Sequence, residues 1–528
     1  MRCSSGTGSQ SFCSHPAPAN LFFAFRRHTG YTGWMKKVLL LYPEFPDTFW
    51  SFKHALKFVR KRAALPPLGL LTVAAMLPTD WEARLIDLNV APLRDADLAW
   101  ADLVFVSGMI AQRDSARALI TRCRAAGKTI VAGGPLFTSE HAEFTDVDYF
   151  VLGEAEVTLP EFLRDFLAGK ARRTYTTTTL PDLLDTPVPL WRLADLRRYG
   201  SMCIQYSRGC PFDCEFCDVT AKFGHRSRTK STVQVLAELD ALAAAGWRGS
   251  VFFVDDNFIG NKRKLREDLL PALIAWQHAH RQRFSFYTEA SINLADDEAL
   301  TRQIVSAGFD AVFIGIETPV EAGLAECNKR QNRGRDLLGD IRRLQHAGLE
   351  VQGGFIVGFD CDTLSIFRKQ LEFIQSSGIV TAMVGILTVL PGTKLFARLQ
   401  SEGRLLGPSS GNNSDGTTNF LPRMDVQALR DGYRNLIATI YAPGPYYRRV
   451  RTFLREFHPP KVPPSFNLKN LAAFLRSAVG LGVIGRERFQ YWRLLVWTLF
   501  RRPRLLQIAV KLAIYGHHFR RCAKAVAD

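Results

Sequence analysis

Two series of short apolar runs alternate with helical stretches along this 528-residue chain. In the first series, spanning residues 35–170, each run ends in glycine or a polar residue, and the runs are KVLLLYP, ARLIDL, DLVFVSG, KTIVAGG and DYFVLGE. The segments PPLGLLTVAAML and RDSARALITRCRAAG read as helices, and Gly127 ends the second. Strands joined by crossover helices predict a doubly wound parallel sheet of the α/β class.

Ligands of such sheets bind at the carboxyl ends of the strands. The residues expected there are Ser107, Gly108, Met109, Gly133, Gly134, Pro135, Gly153 and Glu154. No Gly-x-Gly-x-x-Gly follows the first strand, so a dinucleotide site is not indicated. A docking domain and a nucleotide domain of another kind remain alternatives.

The second series begins at Ser201 and contains six strand-like runs, which are SMCIQYS, GSVFFVDD, RFSFYTEA, AVFIGIE, EVQGGFIVGFD and VTAMVGILTVLPG. Helical stretches separate them, for example residues 231–246 and 295–308. Six such units predict a partial (β/α)6 barrel of the TIM type, with its chemistry at the carboxyl ends of the strands. Five carboxylates fall there: Asp255, Asp256, Glu289, Glu317 and Asp360. A single carboxylate at a strand end is often a helix N-cap, but five at successive strand ends favour a site.

Three cysteines follow the first barrel strand in SRGCPFDCEFC: Cys210, Cys214 and Cys217. Buried free thiols and structural zinc are the alternatives to a redox centre. Structural zinc normally takes four protein ligands, usually as two cysteine pairs, and no second pair is visible. Three thiolates suit an iron–sulfur cluster better, since they leave one iron of a four-iron cluster open.

The boundaries of these series predict five segments. Residues 1–34 are expected to be a disordered leader or a misassigned start, because strand-like sequence begins abruptly at Met35. The first sheet is assigned to 35–175, a proline-rich linker to 176–199, the barrel to 200–405 and a helical basic region to 406–528.

The basic character of the chain is concentrated in that last region. The formal net charge is +18, and residues 441–528 hold 17 Lys and Arg against 3 Asp and Glu. This basic region has three interpretations. It is a solvated helical cap over the barrel, a surface that contacts anionic lipid, or a surface that binds nucleic acid. No RNA-module signature appears, so no nucleic acid is expected. Without a run of 18 apolar residues, we expect a cytoplasmic protein, peripheral at most at the membrane surface.

The cysteine loop has the pattern Cys-x3-Cys-x-aromatic-Cys, which resembles the signature of the radical S-adenosylmethionine (SAM) superfamily. The resemblance covers residues 201–400 and includes the later segments FVDDNFIG, TEASINL, IGIETP, GGFIVGFD and LPGTKL. The resemblance implies that the three cysteines hold a [4Fe-4S] cluster whose open iron is chelated by SAM. Reductive cleavage of SAM then yields a 5′-deoxyadenosyl radical. The SAM pocket is implied to contain Phe216, Asp255, Asp256, Glu289, Glu317 and Gly358.

A doubly wound domain before such a barrel resembles the cobalamin-binding domain of cobalamin-dependent radical SAM enzymes. VSGMIAQ, AGGPLFT and LGEAE match its strand-end loops, so the eight strand-end residues of the first sheet are implied corrinoid contacts. The Asp-x-His-x-x-Gly motif is absent, because His54 and His141 lack its flanking residues. The lower axial position of cobalt is therefore open: empty, or filled by water or a nonligating side chain.

YPEFPDTFW and PPLGLLTVAAMLP resemble the branch of class B methyltransferases that includes hopanoid methylases. This resemblance implies methylation of an unactivated carbon of a small or lipid-like molecule, with two molecules of SAM and a flavodoxin- or ferredoxin-type electron donor. No individual catalytic residue is indicated. The alternatives are radical ring closure or rearrangement without methyl transfer, and a non-catalytic corrinoid or iron–sulfur sensor.

Overall fold

The first sheet has six parallel strands, in the order β2-β1-β3-β4-β5-β6. A computed structural model describes residues 35–281, 283–459 and 468–527, so the expected leader 1–34 lies outside the described residues. The strands are β1 (Lys37–Tyr42), β2 (Glu82–Asp87), β3 (Leu103–Ser107), β4 (Thr129–Gly133), β5 (Tyr149–Val151) and β6 (Thr174–Tyr175). The doubly wound prediction is confirmed, and β6 is a two-residue addition too short for a sequence pattern.

Helices cover both faces of this sheet. They are α2 (Leu68–Met76), α3 (Asp95–Trp100), α4 (Arg113–Ala125), α5 (Pro135–Glu140) and α6 (Ala155–Leu167). The short helix α1 (Lys53–Leu56), between β1 and α2, packs instead on the C-terminal region of the chain. Strand β1 shows why both faces must be covered: Leu39 and Leu41 lie in one apolar core, whereas Val38 and Leu40 lie in the other. A parallel strand buried on both faces reads as a continuous apolar run, as this one does.

The second sheet also has six parallel strands, in the order β14-β13-β12-β11-β10-β7. Its region contains β7 (Met202–Ile204), β8 (Ser207–Arg208), β9 (Arg228–Thr229), β10 (Ser250–Phe253), β11 (Ser285–Glu289), β12 (Phe309–Glu317), β13 (Glu350–Val357) and β14 (Ala382–Ile386). The short strands β8 and β9 form a separate antiparallel pair. Among the described residues no pairing joins β7 to β14, so the sheet is an open arc, as the partial-barrel prediction required.

Nine α-helices of the described chain belong to this region. They are α7 (Val219–Phe223), α8 (Thr232–Ala244), α9 (Lys262–Lys264), α10 (Leu270–Ala279), α11 (Glu298–Ser306), α12 (Glu321–Glu326), α13 (Leu337–Ala347), α14 (Ser365–Ser377) and α15 (Lys394–Ser401). Helix α8 begins at a capping box, in which Ser231 and Gln234 satisfy each other's backbone N–H groups.

The C-terminal region is helical, as predicted, and closes the β14 edge of the arc. Its helices are α16 (Val426–Tyr441), α17 (Pro443–Glu456), α18 (Leu468–Gly480), α19 (Arg488–Arg501) and α20 (Leu506–Ala527). The Tyr441 hydroxyl donates to the Ala382 carbonyl at 2.6 Å, and the buried Arg449 guanidinium donates to the Val380 carbonyl at 3.3 Å. In the part of the chain that the structure describes, no helix has the length and apolar character needed to cross a bilayer.

Candidate cofactor site between the two sheets

The three cysteines lie in the loop after β8, and all three line a cavity of about 180 Å³. Each is partly buried and none forms a disulfide. The loop is fixed at its start by Gly209, whose N–H donates to Asp256 Oδ2 at 2.8 Å. Gly209 has φ +93°, and a Cβ there would lie 2.7 Å from the Arg226 carbonyl oxygen. Only glycine therefore lets the chain turn into the cysteine loop without strain.

Polar side chains surround the sulfur atoms. The Asn257 amide lies 3.9 Å from Cys210 Sγ, and the Gln331 amide lies 3.8 Å from Cys214 Sγ. Burial raises the pKa of the Cys217 thiol to about 12, and a bound metal would favour its thiolate form. Three clustered sulfur ligands with amide donors fit an iron–sulfur cluster, since such donors stabilise the charge on cluster sulfurs.

A buried ion pair forms another wall of the cavity. Lys329 Nζ lies 2.6 Å from Glu317 Oε1. Glu317 has φ +63°, directly after an irregularity in the pairing of β12 with β13, and this bend carries its carboxylate into the cavity. Burial disfavours the charged form of Lys329, yet the Glu317 carboxylate and the nearby Cys214 raise its pKa above the ordinary value. The lining of the cavity therefore includes one positively charged side chain, Lys329, beside its carboxylates.

The predicted carboxylates divide into two groups. Asp256, Glu289 and Glu317 line the cavity. Burial, together with the charge of Asp256, raises the pKa of Glu289 to about 7. Asp255 instead accepts a hydrogen bond from Ser207 Oγ at 2.6 Å and another from the Ser207 backbone, so it anchors the start of the cysteine loop.

Three other predicted residues can also be placed. Phe216 lines the cavity. Gly358 does not, and its N–H donates to Asp362 Oδ2 at 2.9 Å. Asp360 pairs with Arg398 at 2.9 Å and with Arg404 at 2.6 Å, outside the cavity lining.

Several residues that line the cavity were not predicted from the sequence. They are Asn257, Ser291, Phe313, Lys329 and Gln331. Asn257 directly follows the two predicted aspartates, so its place at a strand end could have revealed it. Lys329 and Gln331 lie in the segment after α12, where no periodicity or motif marks them.

The carboxyl ends of the first sheet face the cysteine loop. Glu154, after β5, accepts from Arg208 at 2.5 Å and from Arg228 at 2.6 Å. Arg208 also pairs with Glu156 at 2.8 Å. These groups are mostly buried, and Arg208 stands two residues before Cys210. Ion pairs thus join the loop after β5 to the cysteine loop, and they occupy the carboxylate of Glu154.

The loops after β3 and β4 form a close-packed, glycine-lined shelf. A Cβ on Gly133 would lie 2.6 Å from the Val151 carbonyl oxygen, and one on Gly134 would collide with Ser107 Oγ. Gly108 and Pro135 belong to the same two loops, and Met109 is 46% exposed at their edge. Gly153 follows β5 and its N–H donates to Thr138 at 3.0 Å. Protein atoms fill the Cβ positions of Gly133 and Gly134, so these glycines let the backbones of the loops pack closely together, and a flat macrocycle bound here would rest on that backbone.

The two histidines considered for cobalt have other contacts. His54 Nε2 lies 2.7 Å from Asp47, and the His141 ring packs edge-to-face on Phe150 with centroids 5.6 Å apart.

Gly134→Ala is expected to lower the free energy of unfolding by about 1–3 kcal/mol, because φ is +88° and Ser107 occupies the Cβ position. It should also weaken corrinoid binding. Thermal unfolding and corrinoid absorbance after reconstitution test this. Gly69→Ala in α2 is the control, since nothing lies within 4 Å of its Cβ; equal losses in both variants would refute the shelf.

Arg208→Met is expected to destabilise the protein by about 3 kcal/mol or more, because it leaves Glu156 buried without its charge partner and Glu154 with only Arg228. The thermal unfolding midpoint measures this. Arg197→Met, whose side chain is 91% exposed, should change stability by no more than about 0.5 kcal/mol. A small loss of stability in Arg208→Met would show that the contact between the loop after β5 and the cysteine loop does not depend on these ion pairs.

Family models and relatives agree with this geometry. The B12 binding domain matches residues 62–163, the radical SAM superfamily 204–374, and a domain of unknown function (DUF4070) 393–528. An uncharacterized methyltransferase of Synechocystis is 40% identical over 92% of this chain and 91% of its own length. The hopanoid C-2 methylase of Rhodopseudomonas palustris is 32% identical over 92% of this chain and 93% of its own length.

Two solved structures share the fold. The methyltransferase TsrM from Kitasatospora setae has a TM-score of 0.59 at 17% identity, covering 78% of this chain and 90% of its own. The cobalamin-dependent radical enzyme OxsB has a TM-score of 0.59 at 14% identity, covering 94% of this chain and 84% of its own.

A corrinoid-type sheet whose strand ends face a three-cysteine barrel loop defines a radical SAM enzyme of the cobalamin-dependent class. Within that class, the chain belongs to the family of cobalamin-dependent radical SAM methyltransferases related to hopanoid methylases. Its cofactors are a [4Fe-4S] cluster, SAM and cobalamin. The predicted family, fold class, enzyme class and cofactors are confirmed, and methyl transfer is favoured over the ring-forming and sensor alternatives.

Proposed function

We propose that this enzyme methylates an unactivated carbon of a polycyclic, hopanoid-like lipid. The observation that carries the proposal is the 32% identity to a hopanoid C-2 methylase along 92% of the chain. A hopanoid C-3 methylase is 26% identical over 61% of this chain. Two bacteriochlorophyllide d methyltransferases are also relatives, so several family members act on large ring systems.

An aromatic pair beside the cavity supports an apolar substrate. Trp50, in the YPEFPDTFW segment after β1, packs edge-on against Phe313 with ring centroids 5.2 Å apart. Phe313 lines the cofactor cavity, and Trp50 is 37% exposed. An aromatic pair that is open to solvent on one side and lines the cavity on the other suits a flat hydrocarbon better than a charged molecule.

The proposal assigns the residues as follows. Cys210, Cys214 and Cys217 hold the cluster; Asp256, Glu289 and the Glu317–Lys329 pair border the SAM pocket, with Phe216 as its apolar wall. Asp255 fixes the cysteine loop, and the loops after β3, β4 and β5 hold the corrinoid. When bound, the cluster and SAM supply the oxidant that removes a substrate hydrogen, and the corrinoid supplies the methyl group. The protein positions these groups and excludes water.

We further propose that the segments have the limits expected from the sequence: 35–175, 176–199, 200–405 and 406–528. A reductant of flavodoxin or ferredoxin type supplies electrons. The site of action is the membrane surface, where a hopanoid-like substrate resides.

The test is methyl transfer by anaerobically reconstituted protein supplied with reductant and methyl-labelled SAM. Hopanoids extracted from membranes, offered in detergent, should gain the labelled methyl group. Cys214→Ala protein is the control for background methylation. SAM cleavage without any methylated lipid would overturn the substrate class, and an unmethylated, cyclised product would favour the ring-forming alternative.

A further inference from the structure

Large apolar side chains are exposed in unusual number on α18, α19 and the turn between them. Ten of the 21 such side chains among the described residues fall within residues 471–500. They are Leu471, Leu475, Val479, Val483, Ile484, Phe489, Trp492, Val496, Leu499 and Phe500. Single exposed apolar residues are normal, but a clustered set marks an interaction surface. The two helices meet at the turn between them, where Trp492 Nε1 donates to the Gly482 carbonyl at 3.0 Å.

Their spacing places them on one face of each helix. In α18 the exposed positions are 471, 475 and 479, and in α19 they are 489, 492, 496, 499 and 500. Residues three or four apart lie on the same side of a helix. The other side of α19 is already used, because Tyr491, Leu494 and Leu495 are buried in the protein core. Each helix therefore has a second apolar face that the protein itself does not cover.

The charge around this face has one sign. Arg486, Arg488, Arg493, Arg501 and Arg504 are exposed, and among the described residues none of them has an acidic partner. The one acidic residue in 468–527 is Glu487, which is buried and paired with Arg520. Residues 468–527 therefore contribute no exposed carboxylate to this face.

We propose that this surface, formed by α18, the 481–487 turn and α19, docks on an anionic lipid bilayer. Tryptophan, phenylalanine and aliphatic side chains enter the interface, while arginines contact lipid phosphates. Uniform positive charge around the apolar residues distinguishes a bilayer from a second copy of this chain, whose matching surface would repel it. The helices lie on the membrane, consistent with the lack of a spanning helix in the described chain.

The chain segment between β1 and α2 contacts both helix α18 and the wall of the cofactor cavity. Arg476 of α18 donates to the Phe58 carbonyl at 2.7 Å. Phe58 belongs to the same segment after β1 as Trp50, which packs on Phe313 in the cavity wall. Docking would bring that segment close to the bilayer. The passage of a substrate along this segment rests on the proposed function, whereas the docking itself does not.

Vesicle flotation of the full-length holoenzyme tests the proposal. The protein should float with vesicles of phosphatidylcholine and phosphatidylglycerol, and much less with phosphatidylcholine alone. Arg488→Glu/Arg493→Glu should weaken binding at least tenfold, since each basic residue near such a surface contributes about 1 kcal/mol. Phe489→Ser/Phe500→Ser should weaken it comparably, and the fold should be unchanged because both side chains are exposed.

Matched variants elsewhere on the surface provide the controls. Arg248→Glu/Arg342→Glu changes two exposed arginines of the barrel, and Val233→Ser changes a 77% exposed apolar residue. Neither should alter flotation. Equal loss in controls and test variants, no flotation of the wild type, or a dimer dissociated by Phe489→Ser/Phe500→Ser would overturn the proposal. Methyl transfer to detergent-dispersed lipid is scored separately, so failure of docking is distinguishable from failure of the proposed substrate.

Discussion

Cys214→Ala protein is expected to lose its cluster and, with it, all measurable release of 5′-deoxyadenosine. Two thiolates cannot hold a four-iron cluster that already leaves one iron without a protein ligand. Iron content, cluster absorbance and 5′-deoxyadenosine are measured after anaerobic reconstitution.

Cys361→Ser is the matched control, because Cys361 is a free, exposed cysteine outside the cavity. It should keep its iron and its SAM cleavage. A Cys214→Ala protein that retains both would contradict the assignment of the cysteine loop.

Lys329→Met should lower stability by about 3 kcal/mol or more and strongly reduce SAM cleavage. The substitution leaves Glu317 buried without its charge partner. Thermal unfolding and SAM binding separate the two effects.

The double variant Glu317→Gln/Lys329→Met makes the test specific. Removing both charges should recover most of the stability, since replacing a whole buried pair is often close to neutral. SAM binding should stay weak if the pair borders the SAM pocket. Arg302→Met, in an exposed pair with Glu298, should leave stability within about 1 kcal/mol of the wild type. Recovery of SAM binding in the double variant would assign the pair a purely structural role.

Sequence patterns predicted the two sheets well because parallel strands buried on both faces leave continuous apolar runs. The strand β1 is an example, with Val38–Leu41 fully buried. The cysteine loop was equally visible, since its ligands are close in sequence. The two-residue strand β6 was not, because it is too short to show a period.

The site was predicted less completely, for two physical reasons. Lys329 and Gln331 line the cavity but lie more than a hundred residues after the cysteines in the chain. A local sequence pattern cannot indicate that two segments so far apart in sequence meet in the fold. Asp255 and Asp256 are adjacent in sequence and both carboxylates, yet one anchors a loop and the other lines the cavity. Both residues lie in the loop after β10, so which of them faces the cavity depends on the path of that loop, and the sequence does not encode that path as a period.

The pairs formed by Arg208 and Arg228 with Glu154 and Glu156 have a consequence for how this enzyme can diversify. They fix the separation between the loop after β5 and the cysteine loop through the protein chain itself. A new substrate would then be accommodated by changing Phe313, which lines the cavity, or Trp50, which packs on Phe313, while the separation of the two loops stays constant. These ion pairs would hold the two loops at a constant distance from each other. The range of substrates would then depend on which molecules fit between the loops.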